Sequence, residues 1–213
     1  MSVAKPQAAK VFCIGLQKTG TSSIRDALRQ LGYNVTGVYG YGLSFKELQA
    51  TYVEEGLKIA RQVDAVEDMP WPNLYAELDR EFPGSKFILT QRDTDRWYGS
   101  ICSHFGDHPH PMQQLTYGED APEPVNHEAR YREVYEKHNQ AVRDHFADRP
   151  DQLLEMWLER GDGWQKLGDF LGAENVPEGP FIHTNSSKQR NSLYHRIRRK
   201  LARYGLPYEH MGF

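Results

Sequence analysis

Two glycines five positions apart, Gly15 and Gly20, separate a short apolar run rich in β-formers (residues 11–15, VFCIG) from an amphipathic stretch at 22–32 that is apolar at Ile24, Leu28 and Leu31. Strand, glycine-bearing turn and helix in that order dictate an α/β unit. The turn can curl its backbone N–H groups around an anion at a helix N-terminus, where the dipole favours negative charge. The lysine position sets it apart from a nucleotide triphosphatase loop. In G-x-x-x-x-G-K-[ST] the lysine follows the second glycine; here Thr21 stands there, and Lys18 lies inside the loop. A lysine so placed reaches a nearer oxygen, such as the bridging oxygen of a mixed anhydride, more readily than a distal γ-phosphate.

The rest of the chain alternates in the same way. Strands are expected at 34–38, 65–67, 86–90 (KFILT, the most strongly buried pattern) and 152–157. Helices are expected at 44–62, 74–82, 95–104, 127–146 and 163–171, with Ser44 and Glu47 forming a capping box. Alternation of this kind implies a three-layer α/β/α domain around a central parallel sheet, read as a single domain over 1–213. Ligands in such sheets bind beyond the carboxyl ends of the strands, so the loops at 15–23, 67–72 and 91–96 should meet. Residues 105–126 carry four prolines and no period, and read as an irregular acceptor-binding loop. Leu193, Ile197, Leu201 and Tyr204 recur at helical spacing and predict a basic C-terminal helix at 188–204.

Charge and composition remove several classes of function. The net charge is −3, but from Ser186 onward seven basic residues face one acid. The body is therefore acidic, and with no recognised module no nucleic-acid partner is expected. No apolar run approaches the roughly 20 residues of a membrane span. The N-terminal residues lack a cleavage pattern, and Cys13 and Cys102 sit in unlike contexts. The expected location is the cytoplasm. Assembly state stays open, a homodimer included.

Lys18-Thr19-Gly20-Thr21-Ser22 resembles the 5′-phosphosulfate loop of sulfotransferases that use 3′-phosphoadenosine 5′-phosphosulfate (PAPS), with Gln17 where many members carry proline. Residues 86–100, KFILTQRDTDRWYGS, are similar to the family's 3′-phosphate segment. Further similarity to a mostly bacterial and fungal branch lies in Leu31-Gly32-Tyr33, the acidic-Pro segment at 67–70, His138-Asn139, Gly163-Trp164, Phe170-Leu171-Gly172 and Pro180-Phe181. The resemblance implies the P-loop-type sulfotransferase fold and transfer of a sulfuryl group from PAPS to a hydroxyl or amine of a small-molecule acceptor. The bisphosphate PAP would be the product, and no metal would be required. It further implies that Gln17, Lys18, Thr19, Gly20, Thr21, Ser22 and Ser23 bind the 5′-phosphosulfate, and Arg92 and Ser100 the 3′-phosphate. The family's late Arg-Lys-Gly loop is missing, and Lys188 and Arg190 are the nearest basic substitutes.

Sulfuryl transfer also needs a base for the acceptor proton. Glu67-Asp68-Met69-Pro70 stands where one branch of the family has Lys-Thr-His-Leu-Pro, which puts Asp68 at the histidine position and Glu67 beside it. Asp68 is the first candidate and Glu67 the second; either could instead cap the following helix or pair with Arg92. Tyr39, Tyr41, Trp71, Trp97 and Phe105 are candidates for lining an acceptor pocket, although such aromatics are more often core. His104, Asp107, His108 and His110 are interrupted by Pro109 and Pro111, so they read as loop and not as a metal site. The alternatives are a P-loop small-molecule kinase using Mg-ATP, and a catalytically silent nucleotide-binding protein of the same fold.

Overall fold

The computed structural model describes residues 9–184. The chain divides into one unit over Met1–Ile182 and a second over His183–Phe213. Lys188, Arg190 and the expected helix at 188–204 lie outside the described residues.

Five short strands, β1 (Val11–Cys13), β2 (Val35–Thr36), β3 (Ala65–Val66), β4 (Lys86–Thr90) and β5 (Leu153–Met156), form one sheet in the order β2-β3-β1-β4-β5. Every pairing is parallel, with Val11 opposite both Ala65 and Lys86. The pleat is covered on both sides, so successive residues face opposite apolar layers. Val11, Cys13 and Ile88 pack with Ile24, Ala27 and Leu28 of α1 (Thr21–Gln30) and with Leu167 of α7 (Trp164–Leu171). Phe12, Ile14, Phe87 and Leu89 face the other way, against Ala60 of α2 (Phe45–Gln62), Leu78 of α3 (Tyr75–Glu81), and Val142 of α6 (Glu128–His145). The result is the expected α/β/α sandwich with a parallel sheet. The Ser44–Glu47 capping box is present in both directions at the start of α2.

A third apolar cluster lies apart from these two layers. It joins Leu16 and Met69, from the loops after β1 and β3, to Trp97 and Ile101 of α4 (Thr94–Phe105) and to Tyr131 and Tyr135 of α6. It also contains Met112 and Tyr117 of a helix that the sequence reading missed, α5 (Pro111–Tyr117). The segment 105–126 is therefore not wholly irregular. Pro111 opens α5 at a position where its missing N–H costs nothing. The His110 ring accepts from the Met112 N–H at 3.1 Å, and Gly118 ends the helix. Seven residues are too few to display a helical period.

The close approach of β1 to β4 fixes where the first loop leaves the sheet. A Cβ on Gly15 would collide with Thr90 Oγ1 and lie 2.5 Å from the Thr90 carbonyl oxygen. Thr90 Oγ1 in turn donates to Thr19 Oγ1 at 2.6 Å, and the Thr19 hydroxyl donates to the Leu16 carbonyl at 2.6 Å. Gly15→Ala should cost about 1–3 kcal/mol through this overpacking, a fall of roughly 2–4 °C in Tm for each kcal/mol. Gly99→Ala, at an open position of α4, should raise stability by up to about 1 kcal/mol. Thermal melts of the two variants check both.

Candidate active site

The loop at 15–23 is stiff and mostly buried. Gln17, Thr19, Thr21 and Ser23 each keep about 5% or less of their surface. Gly20 is the N-cap of α1 at φ 108°, a left-handed conformation that favours glycine. Its carbonyl accepts from the Ser23 N–H at 2.9 Å. No side chain caps the helix and no acidic residue sits in its first turn. A dipole end left uncapped in this way suits an anion. Lys18 lies at φ 71°, also left-handed, so the residue before the turn's crest is held in a conformation that costs free energy.

Asp68 is the second non-glycine residue with positive φ, at 67°. It follows β3, the neighbour of β1, so the two strained residues leave adjacent strand ends. The half-buried Asp68 accepts from the Met69 N–H through Oδ1 at 2.9 Å. Burial raises its pKa above the ordinary aspartate range, while that N–H, Lys18 and Arg25 pull it down. Glu67 is 1% exposed; its Oε1 lies 3.4 Å from Arg25 Nη1, and its Oε2 is buried without a partner among the described residues. Burial, and then the charge of Asp68, push the Glu67 carboxyl up to about 7, against Arg25 and the Thr21 hydroxyl. A 3.4 Å contact to a half-buried guanidinium does not offset removal of the carboxylate from water. Neither acid pairs with Arg92, and no side chain caps the 3-10 turn Trp71–Leu74 that precedes α3.

Arg92 leaves the end of β4, and its backbone is fixed from α6. Its N–H donates to the Tyr135 hydroxyl at 2.9 Å, and that hydroxyl donates to the Arg92 carbonyl at 2.8 Å. The side chain makes an ion pair from Nη2 to Glu159 at 2.7 Å. Its Nε is buried with no partner among the described residues. Ser100 is half-buried in the second turn of α4. Asp93 takes the N-cap, accepting from the Arg96 N–H, and moves the helix start forward.

The five aromatic candidates part company. Trp71 and Trp97 have no exposed surface and so present none to an acceptor. The Trp71 indole N–H donates to the Gly37 carbonyl at 2.8 Å. The Trp97 indole N–H donates to the Gln17 carbonyl at 2.9 Å, and its ring stacks on Tyr135 at 4.1 Å. Trp97 is thus a brace between the first loop and the backbone that carries Arg92. Tyr41 is 82% exposed, with its ring 6.3 Å from that of His110. Phe105 is half-buried, 6.0 Å from the same ring. Tyr39 is half-buried near Thr51, and its N–H bonds the Met69 carbonyl at 3.0 Å. His108 pairs with Asp107 at the surface, and among the described residues no three His, Cys, Asp or Glu side chains gather as metal ligands.

Residues 10–190 match the family model described as the sulfotransferase domain. The chain belongs to that family. No curated protein matches it. The loop at 15–23, the Glu67–Asp68 pair and Arg92 follow β1, β3 and β4, which are neighbours in the sheet. Among the described residues no helix is long and apolar enough to cross a membrane.

Sequence reading missed Tyr117, Tyr135, Arg25 and Glu159. Tyr117 donates to Gln17 Oε1 at 3.4 Å, giving the glutamine that stands in place of proline a side-chain tether. The one readable signal was the four-residue spacing of Tyr131 and Tyr135 on the buried face of α6.

A glutamate whose folded pKa is raised binds its proton more tightly in the native state, so native stability is lost as pH rises from the ordinary value of 4.5 through about 7. Glu67→Gln should therefore gain stability relative to the parent across that window and hold the gain above it. Denaturation midpoints of the two proteins between pH 5 and 8 check this; parallel curves would contradict it.

Proposed function

We propose that this sulfotransferase domain uses PAPS as donor and transfers its sulfuryl group to a hydroxyl or amine of a small-molecule acceptor. The observation that carries the reading is the juxtaposition of Lys18 and Asp68, two left-handed residues on adjacent strand ends, beside the uncapped N-terminus of α1. The donor fits the residues present: the loop offers a cradle for one anion, and Arg92 offers a buried Nε–H without a partner among the described residues to a second. When bound, the donor supplies an activated sulfuryl group and leaves as the bisphosphate.

The chain's own residues divide the remaining work. The backbone of 17–23 and the dipole of α1 hold the 5′-phosphosulfate, and Lys18 neutralises the charge that builds on the leaving phosphate oxygen. Asp68 is the base. It keeps more exposed surface than Glu67, and burial raises its pKa. It accepts the acceptor proton as the new oxygen–sulfur or nitrogen–sulfur bond forms and the sulfur–oxygen bond to phosphate breaks. Glu67 is sealed against Arg25, and the charge of Asp68 helps to raise its pKa. Arg92 and Ser100 receive the 3′-phosphate. The acceptor is selected by the segment 105–126, which includes α5, and by Tyr41 and Phe105, whose rings lie against His110, with Tyr39. No metal takes part.

The test is binding followed by turnover. The bisphosphate PAP, in the presence of a chelator, should raise the Tm, and Mg-ATP should not; the reverse pattern would support a kinase. With labelled PAPS and a panel of phenols and amines, Lys18→Ala should lose roughly 10²–10³-fold in kcat, and Asp68→Asn roughly 10²–10⁴-fold with PAP binding retained.

A further inference from the structure

Resting on the reading of Arg92 as the 3′-phosphate residue, we propose that Glu159 is an internal counter-ion which that phosphate must displace. In this role it loosens the grip on the bisphosphate and hastens product release.

The guanidinium has one side-on edge made of Nε–H and Nη2, the edge that grips a phosphate or carboxylate with two parallel bonds. Here Nη2 is held by Glu159 Oε1 at 2.7 Å, while Nε is buried with no partner among the described residues. A carboxylate meant as a permanent partner would satisfy both donors. Glu159 satisfies one, and its other oxygen lies 3.5 Å from Arg96 Nη1. A phosphate that takes the full edge needs Nη2, so it competes with Glu159 for the same atom. The ion pair is open to solvent, Arg92 at 27% and Glu159 at 32%, so it is screened and can be exchanged. A phosphate dianion brings more charge and a third oxygen, and wins the exchange.

Glu159 is also well placed to feel the other half of the site. It belongs to the 3-10 turn Leu158–Arg160, and Leu158 covers Gly20 so closely that a Cβ there would lie 2.6 Å from Leu158 Cδ1. One turn after β5 therefore abuts both anion positions. A ligand with only a 5′-phosphate leaves the Arg92–Glu159 pair undisturbed, whereas one with both phosphates must break it. Glu159 thus acts on the 3′-phosphate selectively.

Calorimetric binding of PAP and of adenosine 5′-monophosphate to the parent, Glu159→Gln, Glu159→Ala and Arg92→Ala proteins tests this. Both Glu159 variants should bind PAP roughly two- to fivefold tighter, the scale of a screened ion pair, with a slower off-rate and unchanged affinity for the monophosphate. Weaker or unchanged PAP binding would mean that Glu159 merely orients Arg92 and would overturn the proposal. Equal tightening of both nucleotides would overturn it too, because the effect would then not act through the 3′-phosphate. If Arg92→Ala leaves PAP affinity intact, the assignment of Arg92 itself fails and takes the Glu159 proposal with it. If Arg92→Ala weakens PAP and the Glu159 variants do not tighten it, only the Glu159 role is lost.

Discussion

The indole of Trp97 ties the two halves of the candidate site to one rigid part of the molecule. Its N–H holds the Gln17 carbonyl, and its ring stacks on Tyr135, whose hydroxyl bonds both backbone groups of Arg92. The first loop and the end of β4 are thereby referred to the same buried aromatic cluster. Tyr117, itself stacked on Tyr131 at 3.7 Å, adds a bond to the Gln17 side chain. Loops carry unsatisfied backbone groups, and two sites built on separate loops keep a fixed spacing only if something buried holds both. Here the holding groups are ring N–H and hydroxyl donors inside an apolar cluster, where a hydrogen bond is not contested by water.

A second constraint comes from charge placed where water cannot reach it. Glu67 and Asp68 follow one another at the end of β3, and parallel-sheet geometry puts them next to the loop that leaves β1. Burial makes both carboxyls reluctant to ionise; Arg25 from α1 and Lys18 from the loop oppose that tendency. The same architecture that offers an anion a positive cradle therefore sets a pair of acids beside it with pKa values shifted in the direction that proton transfer requires. Opposed fields over a short distance are a common mark of reactive sites, although structural ion pairs share it. The proposed division of labour follows from exposure: Asp68 is half-buried, whereas Glu67 keeps 1% of its surface.

Much of the fold was legible. Continuous apolar runs located the strands and amphipathic stretches located most helices, because a doubly covered parallel sheet forces both. Helix α5 was not legible, since its seven residues owe their shape to Pro111, a ring-nitrogen cap and packing against the third cluster. Trp71 and Trp97 could be named only as candidates, for pocket lining or for core, because an aromatic near a loop looks the same in sequence whether it faces a ligand or braces the backbone. Their indole bonds to Gly37 and Gln17 are contacts between residues 34 and 80 positions apart. No local pattern encodes them.

The sequence by itself determined the order of strands and helices, the glycine frame and displaced lysine of the first loop, and the presence of two acids just ahead of Pro70. These are properties of neighbours along the chain, governed by backbone conformation and local periodicity. Only the tertiary structure decided that Glu67 is the more deeply sealed of the two acids, that Arg92 is already paired with Glu159, and that Trp97 serves the backbone. Each of these depends on burial and on partners far away in sequence, and burial is what changes the cost of a charge or an unmade hydrogen bond.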